Sequence, residues 1–195
     1  MEFSDEYLLQ KYLDADVAAF NILIQRWQKR IFNFIYRNVG DYEEARDLTQ
    51  ETFAKAFLKA RELHDRARFS SWLYKVALNE CRMAFRRTRG KQSVPIELFQ
   101  QQDAQEAELG RAMAQRDESP QERLEREEGV ARLREVMRML PEEQRLVILM
   151  KEYENLKFHE IAEILDTPLS TIKSRMYLGL KTLRRLLVQK ELSRL

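Results

Sequence analysis

Between residues 17 and 39, Phe20, Leu23, Ile24, Trp27, Ile31, Phe34 and Ile35 recur at steps of three and four. That spacing lays one apolar stripe along an α-helix and is incompatible with the alternation of a strand. The same period returns along most of the chain, so the fold it dictates is all-α. Only five glycines and four prolines interrupt it, too few for the many turns of an all-β domain.

Read in order, the pattern predicts a helix at Asp5–Leu13 and a longer one at Val17–Val39. Gly40-Asp41 is a break, with Asp41 as cap for a third helix over 42–63. The polar stretch 64–68 separates it from a fourth over 70–89. From Gly90 the periodicity fails. Residues 91–120 are rich in Gln, Glu, Asp and Ser and poor in large apolar groups, the composition of a linker, with room for a short helix within 97–115. Pro120 opens a further helix over 121–139, and Pro141 another over 142–153. Two more follow over 157–165 and 170–189. The expected organisation is two small helical domains, 1–90 and 121–195, joined by an acidic linker.

The net charge of +2 conceals a pattern. Residues 59–91 hold ten Lys/Arg against three Asp/Glu, whereas residues 92–128 hold four against ten. The last 67 residues are basic again, by 13 to 9. Two basic blocks around an acidic one point to two anion-binding surfaces, with a strip between them able to fold back and compete.

Catalytic and metal chemistry find no foothold. Two histidines and one cysteine offer no metal-ligand spacing, and neither a glycine-rich phosphate loop nor a nucleophile elbow occurs. No cofactor, metal site, enzymatic activity or small-molecule substrate is expected. The acidic start lacks the order of a signal peptide and no apolar run reaches the length of a membrane span, so the expected compartment is the cytoplasm.

Residues 158–176, FHEIAEILDTPLSTIKSRM, have the form of a helix-turn-helix. Ile161, Ala162 and Leu165 form the inner face of the first helix, Asp166-Thr167-Pro168 the turn, and Ser170 the expected N-cap of the second. At 100° per residue, Ile172, Met176, Leu180, Leu183 and Leu187 share one arc. Ser174, Leu178, Lys181 and Arg185 lie opposite, with Thr171 and Tyr177 beside them and Lys173 and Arg175 flanking. A helix start bearing small polar and basic groups suits the major groove.

In the helix beginning at Ser70, the expected apolar arc is Trp72, Leu73, Val76 and Ala77, with Glu80 falling on it without explanation. Across from it, Lys75, Asn79, Arg82 and Arg86 make one stripe near the aromatics Trp72, Tyr74 and Phe85, suited to a strand whose bases leave the stack. In the helix before it, Ala45, Leu48, Thr52, Phe53, Ala56 and Ala60 face inward. Asp47, Gln50, Glu51, Ala54 and Leu58 face out, a mixture of acids and small apolar groups that reads either as a protein-docking patch or as tolerated surface.

The runs 45–53 (ARDLTQETF), 69–79 (FSSWLYKVALN) and 140–145 (LPEEQR), followed by the helix-turn-helix, together resemble the extracytoplasmic-function class of bacterial sigma factors. The resemblance implies a promoter-specificity subunit of RNA polymerase. The first domain would dock through Asp47, Gln50 and Glu51 on the β′ coiled coil. Lys75, Asn79, Arg82, Arg86 and Trp72, with His64, Arg66 and Arg68 of the loop, would hold the melted −10 strand and one flipped base. Thr171, Lys173, Ser174, Arg175, Tyr177 and Lys181 would read the −35 element while the second domain rests on the β flap. The acidic linker would run toward the active-centre cleft, and an anti-sigma protein would cover the DNA-binding faces. The chain departs from the family at Met83, where an acid is common, and at Leu178-Gly179-Leu180, where basic residues commonly follow. A stand-alone helix-turn-helix regulator and a helical interaction protein are the competing readings.

Overall fold

A computed structural model of the chain describes residues 3–89 and 119–192. These divide into two compact units, and the linker expected at 91–120 lies almost wholly outside the described residues.

The first unit holds α1 (Asp5–Leu13), α2 (Val17–Val39), α3 (Tyr42–Lys59) and α4 (Phe69–Arg89). Local chemistry sets each boundary. The Ser4 hydroxyl accepts from the Tyr7 amide at the start of α1, and the Asp16 carboxylate accepts from Ala18 and Ala19 at the start of α2. Gly40 ends α2 at φ 81°, a left-handed turn that costs glycine nothing. Asp41 then caps α3 as expected, its Oδ1 accepting from the Glu44 amide at 2.7 Å.

α3 stops at Lys59 rather than running to residue 63. Its last turn tightens into a 3₁₀ turn, Ala60–Glu62, because the polar stretch that follows supplies no further apolar face. A second 3₁₀ turn, Arg66–Arg68, is capped by Asp65 and leads directly into α4.

The apolar side of α4 is turned relative to the expected arc. Leu73, Tyr74, Ala77, Leu78, Cys81 and Ala84 are buried, whereas Trp72 and Val76 are half-buried. The reason is Tyr74, which meets Phe34 edge-on at 5.2 Å and Trp27 at 6.0 Å in the centre of the core. A large ring gains more by full burial than valine does, so the helix rotates to seat it. Glu80 follows it inward, and the Lys55 ammonium of α3 donates to its carboxylate.

The second unit comprises α5 (Pro120–Met139), α6 (Glu142–Ile148), a π-helical turn (Leu149–Tyr153), α7 (Phe158–Leu165) and α8 (Leu169–Leu192). Pro120 stands in the first turn of α5, where its missing N–H costs nothing. Leu146, Val147, Ile148, Leu149 and Met150 are buried in succession, so this stretch is enclosed on every side. The other helices pack around it, α5, α6 and α7 each touching α8. Glu160 reaches back to the Lys157 amide at 2.6 Å and starts α7.

The junction of α7 and α8 is the expected helix-turn-helix. Asp166 takes φ 51°, and the Thr167 and Asp166 amides donate back to Ala162 and Glu163, closing a Schellman turn with aspartate in place of glycine. Ser170 does not cap α8, which begins one residue earlier at Leu169. Of the expected inner arc of α8, Ile172 and Met176 are buried and Leu183 and Leu187 half-buried, but Leu180 is exposed. Gly179 takes its place in the core because it alone lets α8 lie against Ile148.

Candidate nucleic-acid interface

On α4, Lys75, Asn79 and Arg86 stand exposed in one line, with Arg82 half-buried among them. Trp72 lies half-buried beside Phe69, their rings 6.1 Å apart, and Phe85 is exposed. Tyr74 is a core residue and is lost to any stacking role. The aromatic part of this face is therefore Trp72 and Phe85.

The loop ahead of α4 presents His64 and Arg68 to solvent and Arg66 half-buried. Arg68 Nε donates to Asp65 at 3.0 Å. Between this loop and the start of α1 lies an open hollow of about 640 Å³, lined by Asp5, Arg26, Trp27, Arg30, Arg66 and Phe69 among others. Asp5 organises its floor, accepting from the Trp27 indole at 2.8 Å and from the Arg26 guanidinium. Arg30 lies 5.5 Å from the centre of the Trp27 ring. Sequence spacing does not single out these α1 and α2 residues. They reach the loop only through a chain reversal of some forty residues, which no local pattern reports.

α3 turns its other side outward. Asp47, Gln50, Glu51, Ala54 and Leu58 are all exposed on one face, Leu58 at 74%. Beside them Glu44, Asp47, Leu48, Glu51, Ala84 and Arg87 line a hollow of about 400 Å³. Burial, and then the nearby Asp41 carboxylate, raise the pKa of Glu44 above the usual carboxylate value.

In the second unit, Lys173, Ser174, Tyr177 and Lys181 are exposed on α8, and Thr171 is half-buried. Arg175 is placed differently. Its side chain is only 22% exposed, pairs with Glu143 at 2.6 Å and donates to the Thr167 hydroxyl at 3.3 Å. It belongs to the brace between α8, the turn and α6 rather than to the outer face. Burial of the Arg145 guanidinium lowers its pKa.

Among the described residues no group of three His, Cys, Asp or Glu side chains could hold a metal ion, and no helix is long and apolar enough to cross a membrane. The arrangement is one of two exposed basic helix faces and one acidic face, a geometry for binding polyanions and a protein partner.

The chain matches the family model for sigma-70 region 2 over residues 23–91 and that for sigma-70 region 4 over residues 131–183. It is 30% identical to the RNA polymerase sigma-H factor of Pseudomonas aeruginosa over 173 residues, covering 89% of this chain and 88% of that protein. Similarity to the ECF RNA polymerase sigma-E factor of Escherichia coli K12 is 28% over 179 residues, 90% of each. Among solved structures, the fold is similar to that of CnrH in complex with the cytosolic domain of CnrY, at a TM-score of 0.65, 20% identity and 95% and 97% coverage. The sigma factor RpoE of Bartonella quintana, in complex with the anti-sigma factor NepR, gives 0.62 at 21% identity, covering 86% and 96%. Both regional models matched in order, together with relatives spanning nearly the full length, mean that this chain belongs to the extracytoplasmic-function class of the sigma-70 family and is an alternative sigma factor for transcription initiation.

Proposed function

We propose that the first unit docks on core RNA polymerase and holds the melted −10 strand, while the second reads the −35 element as duplex. The observation that carries this is the division of exposed faces on α3 and α4. Asp47, Gln50 and Glu51 form the protein-facing side, and Lys75, Asn79 and Arg86 form a separate line of two cations and an amide on the next helix. Cations on this line attract the phosphates of a strand, and Trp72 and Phe85 offer π-faces for unstacked bases. The hollow beside the 64–68 loop has an indole wall and guanidinium rim suited to one flipped base. In the second unit, Thr171, Lys173, Ser174, Tyr177 and Lys181 carry the groove contact.

The protein acts in the cytoplasm and performs no chemistry itself; the polymerase does. Domain limits of 1–90 and 121–195, with the acidic stretch between them threading toward the polymerase cleft, complete the reading. An anti-sigma factor, as NepR is for RpoE, would act by covering these faces.

Run-off transcription with core polymerase, with and without the protein, across fragments of the source genome is the test. Discrete transcripts only in its presence support the reading. No transcripts, no co-elution with core polymerase, and tight duplex binding by the protein alone would replace it with a stand-alone regulator.

A further inference from the structure

Three guanidiniums, those of Arg26, Arg30 and Arg66, line the hollow between the 64–68 loop and the start of α1. Their commitments differ. Arg26 is held within the fold, donating to the Asp5 carboxylate and, at 2.7 Å, to the Phe3 carbonyl. The second oxygen of Asp5 accepts from the Trp27 indole, so this acid is fully engaged on the floor. Arg30 is exposed and lies over the Trp27 ring, with no acid paired to it among the described residues. Arg66 is half-buried, and its Nε is enclosed without a hydrogen-bond partner. The hollow thus holds two uncommitted cations against one further carboxylate, that of the exposed Glu6.

A guanidinium resting on an aromatic ring is positioned without a charge partner and keeps the donors along its edge. An enclosed donor without an acceptor is costly, and an incoming acceptor relieves that cost. Two such forks on one hollow suit a phosphate, whose oxygens accept from several N–H groups at once. What adjoins the hollow says where that phosphate comes from. Phe69 and Ser70, the first residues of α4, line it. Arg68, immediately before α4, and Lys75, exposed on it, lead from the hollow to Asn79 and Arg86. A strand lying along that line reaches the hollow at its end and brings a phosphate with every nucleotide.

We infer that the melted strand passes from α4 across this hollow with one backbone phosphate clamped between Arg30 and Arg66, which makes Arg30 a DNA-binding residue of α2. This rests on the first unit holding the melted strand, as proposed above. It extends the contact surface from one helix to two, and it makes the two guanidiniums a grip on the backbone, independent of base identity.

The experiment uses the full chain assembled with core polymerase. Run-off transcription first supplies promoters, and each is remade as a fork whose −10 segment is single-stranded. Phosphates of that strand are replaced one at a time by methylphosphonate, which removes the charge, and holoenzyme affinity is measured across a range of salt. Native holoenzyme should lose roughly two- to fivefold at one position. Arg30→Ala, an exposed change, and Arg66→Ala should each be indifferent to that same replacement and should flatten the log–log salt slope by about 0.7. Lys29→Ala removes an exposed cation of α2 that does not line the hollow, and it should keep both the sensitivity and the slope. Tryptophan fluorescence through urea checks that Arg66→Ala folds; were it unfolded, Arg30→Ala decides by itself. Full sensitivity of Arg30→Ala at every phosphate, with an unchanged slope, overturns the inference alone and would assign the hollow to an acidic protein partner. So does an equal flattening by Lys29→Ala, which would reduce the effect to general charge. An absence of promoter-specific transcripts overturns the proposed function as well.

Discussion

The guanidinium of Arg175 lies 2.6 Å from the carboxylate of Glu143, so a cation on α8 is held by an acid in the first turn of α6. The same guanidinium donates to Thr167, whose own hydroxyl donates to the Leu165 carbonyl. Helix, turn and neighbouring helix are thereby joined through one side chain. Sequence spacing alone places this arginine among the DNA-binding residues.

If Arg175 positions α8 without touching DNA, Arg175→Ala and Glu143→Gln should each weaken promoter binding, and the double variant should be no worse than either single one. Because Glu143 is 67% exposed, the pair contributes about 1 kcal/mol or less. The diagnostic is the salt dependence of holoenzyme binding. Were Arg175 bound to a phosphate, Arg175→Ala would flatten the log–log slope by about 1; removal of a brace leaves the slope unchanged.

Lys55 and Glu80 join α3 to α4, with the Glu80 side chain only 4% exposed and Lys55 37% exposed. Removing the lysine alone leaves a carboxylate enclosed without its partner. Lys55→Met should cost about 2 kcal/mol, less than the ~3–5 kcal/mol of a fully buried pair because Lys55 reaches water. Lys55→Met with Glu80→Leu should recover most of that. Both tryptophans, Trp27 and Trp72, lie in this unit, so urea denaturation followed by tryptophan fluorescence reports it selectively.

A Cβ at Gly179 would lie 2.9 Å from Ile148 Cδ1 and 3.2 Å from Gln144 Cβ. Alanine would favour the helix by about 1 kcal/mol, but overpacking costs about 1–3 kcal/mol. Gly179→Ala should therefore destabilise the second unit by about 1 kcal/mol. Adding Ile148→Val, which removes the nearer methyl, should restore most of the stability. Far-UV circular dichroism through urea, set against the tryptophan signal, separates the two units.

Burial pushes the Cys81 thiol up to about 12, with the carboxylates of Glu44 and Glu80 adding to it. A raised folded-state value means that the neutral thiol is favoured by folding. Its contribution is fully present below the unfolded value of about 8.5 and is lost as pH rises from there through about 12. At pH 8 the native thiol should resist iodoacetamide, alkylating only as fast as the first unit opens. Labelling as rapid as that of a free thiol would contradict the burial.

The helices are legible in the sequence because their causes are local. The three- and four-residue apolar steps of α2, the capping carboxylate of Asp41, the glycine at residue 40, and prolines 120 and 141 each act within a turn or two of the chain. The helix-turn-helix is legible for the same reason, and so is the exposed line of Lys75, Asn79 and Arg86. What stays hidden depends on distant partners. Periodicity places a side chain to within about one position and cannot weigh Tyr74 against Val76, a choice decided by Trp27 and Phe34. Nor does it say that Glu80 meets Lys55, that Arg175 is held by Glu143, or that Gly179 rather than Leu180 faces Ile148. Whether a charged residue is free to bind or committed to the fold is a property of three-dimensional neighbours, and only the packed structure supplies them.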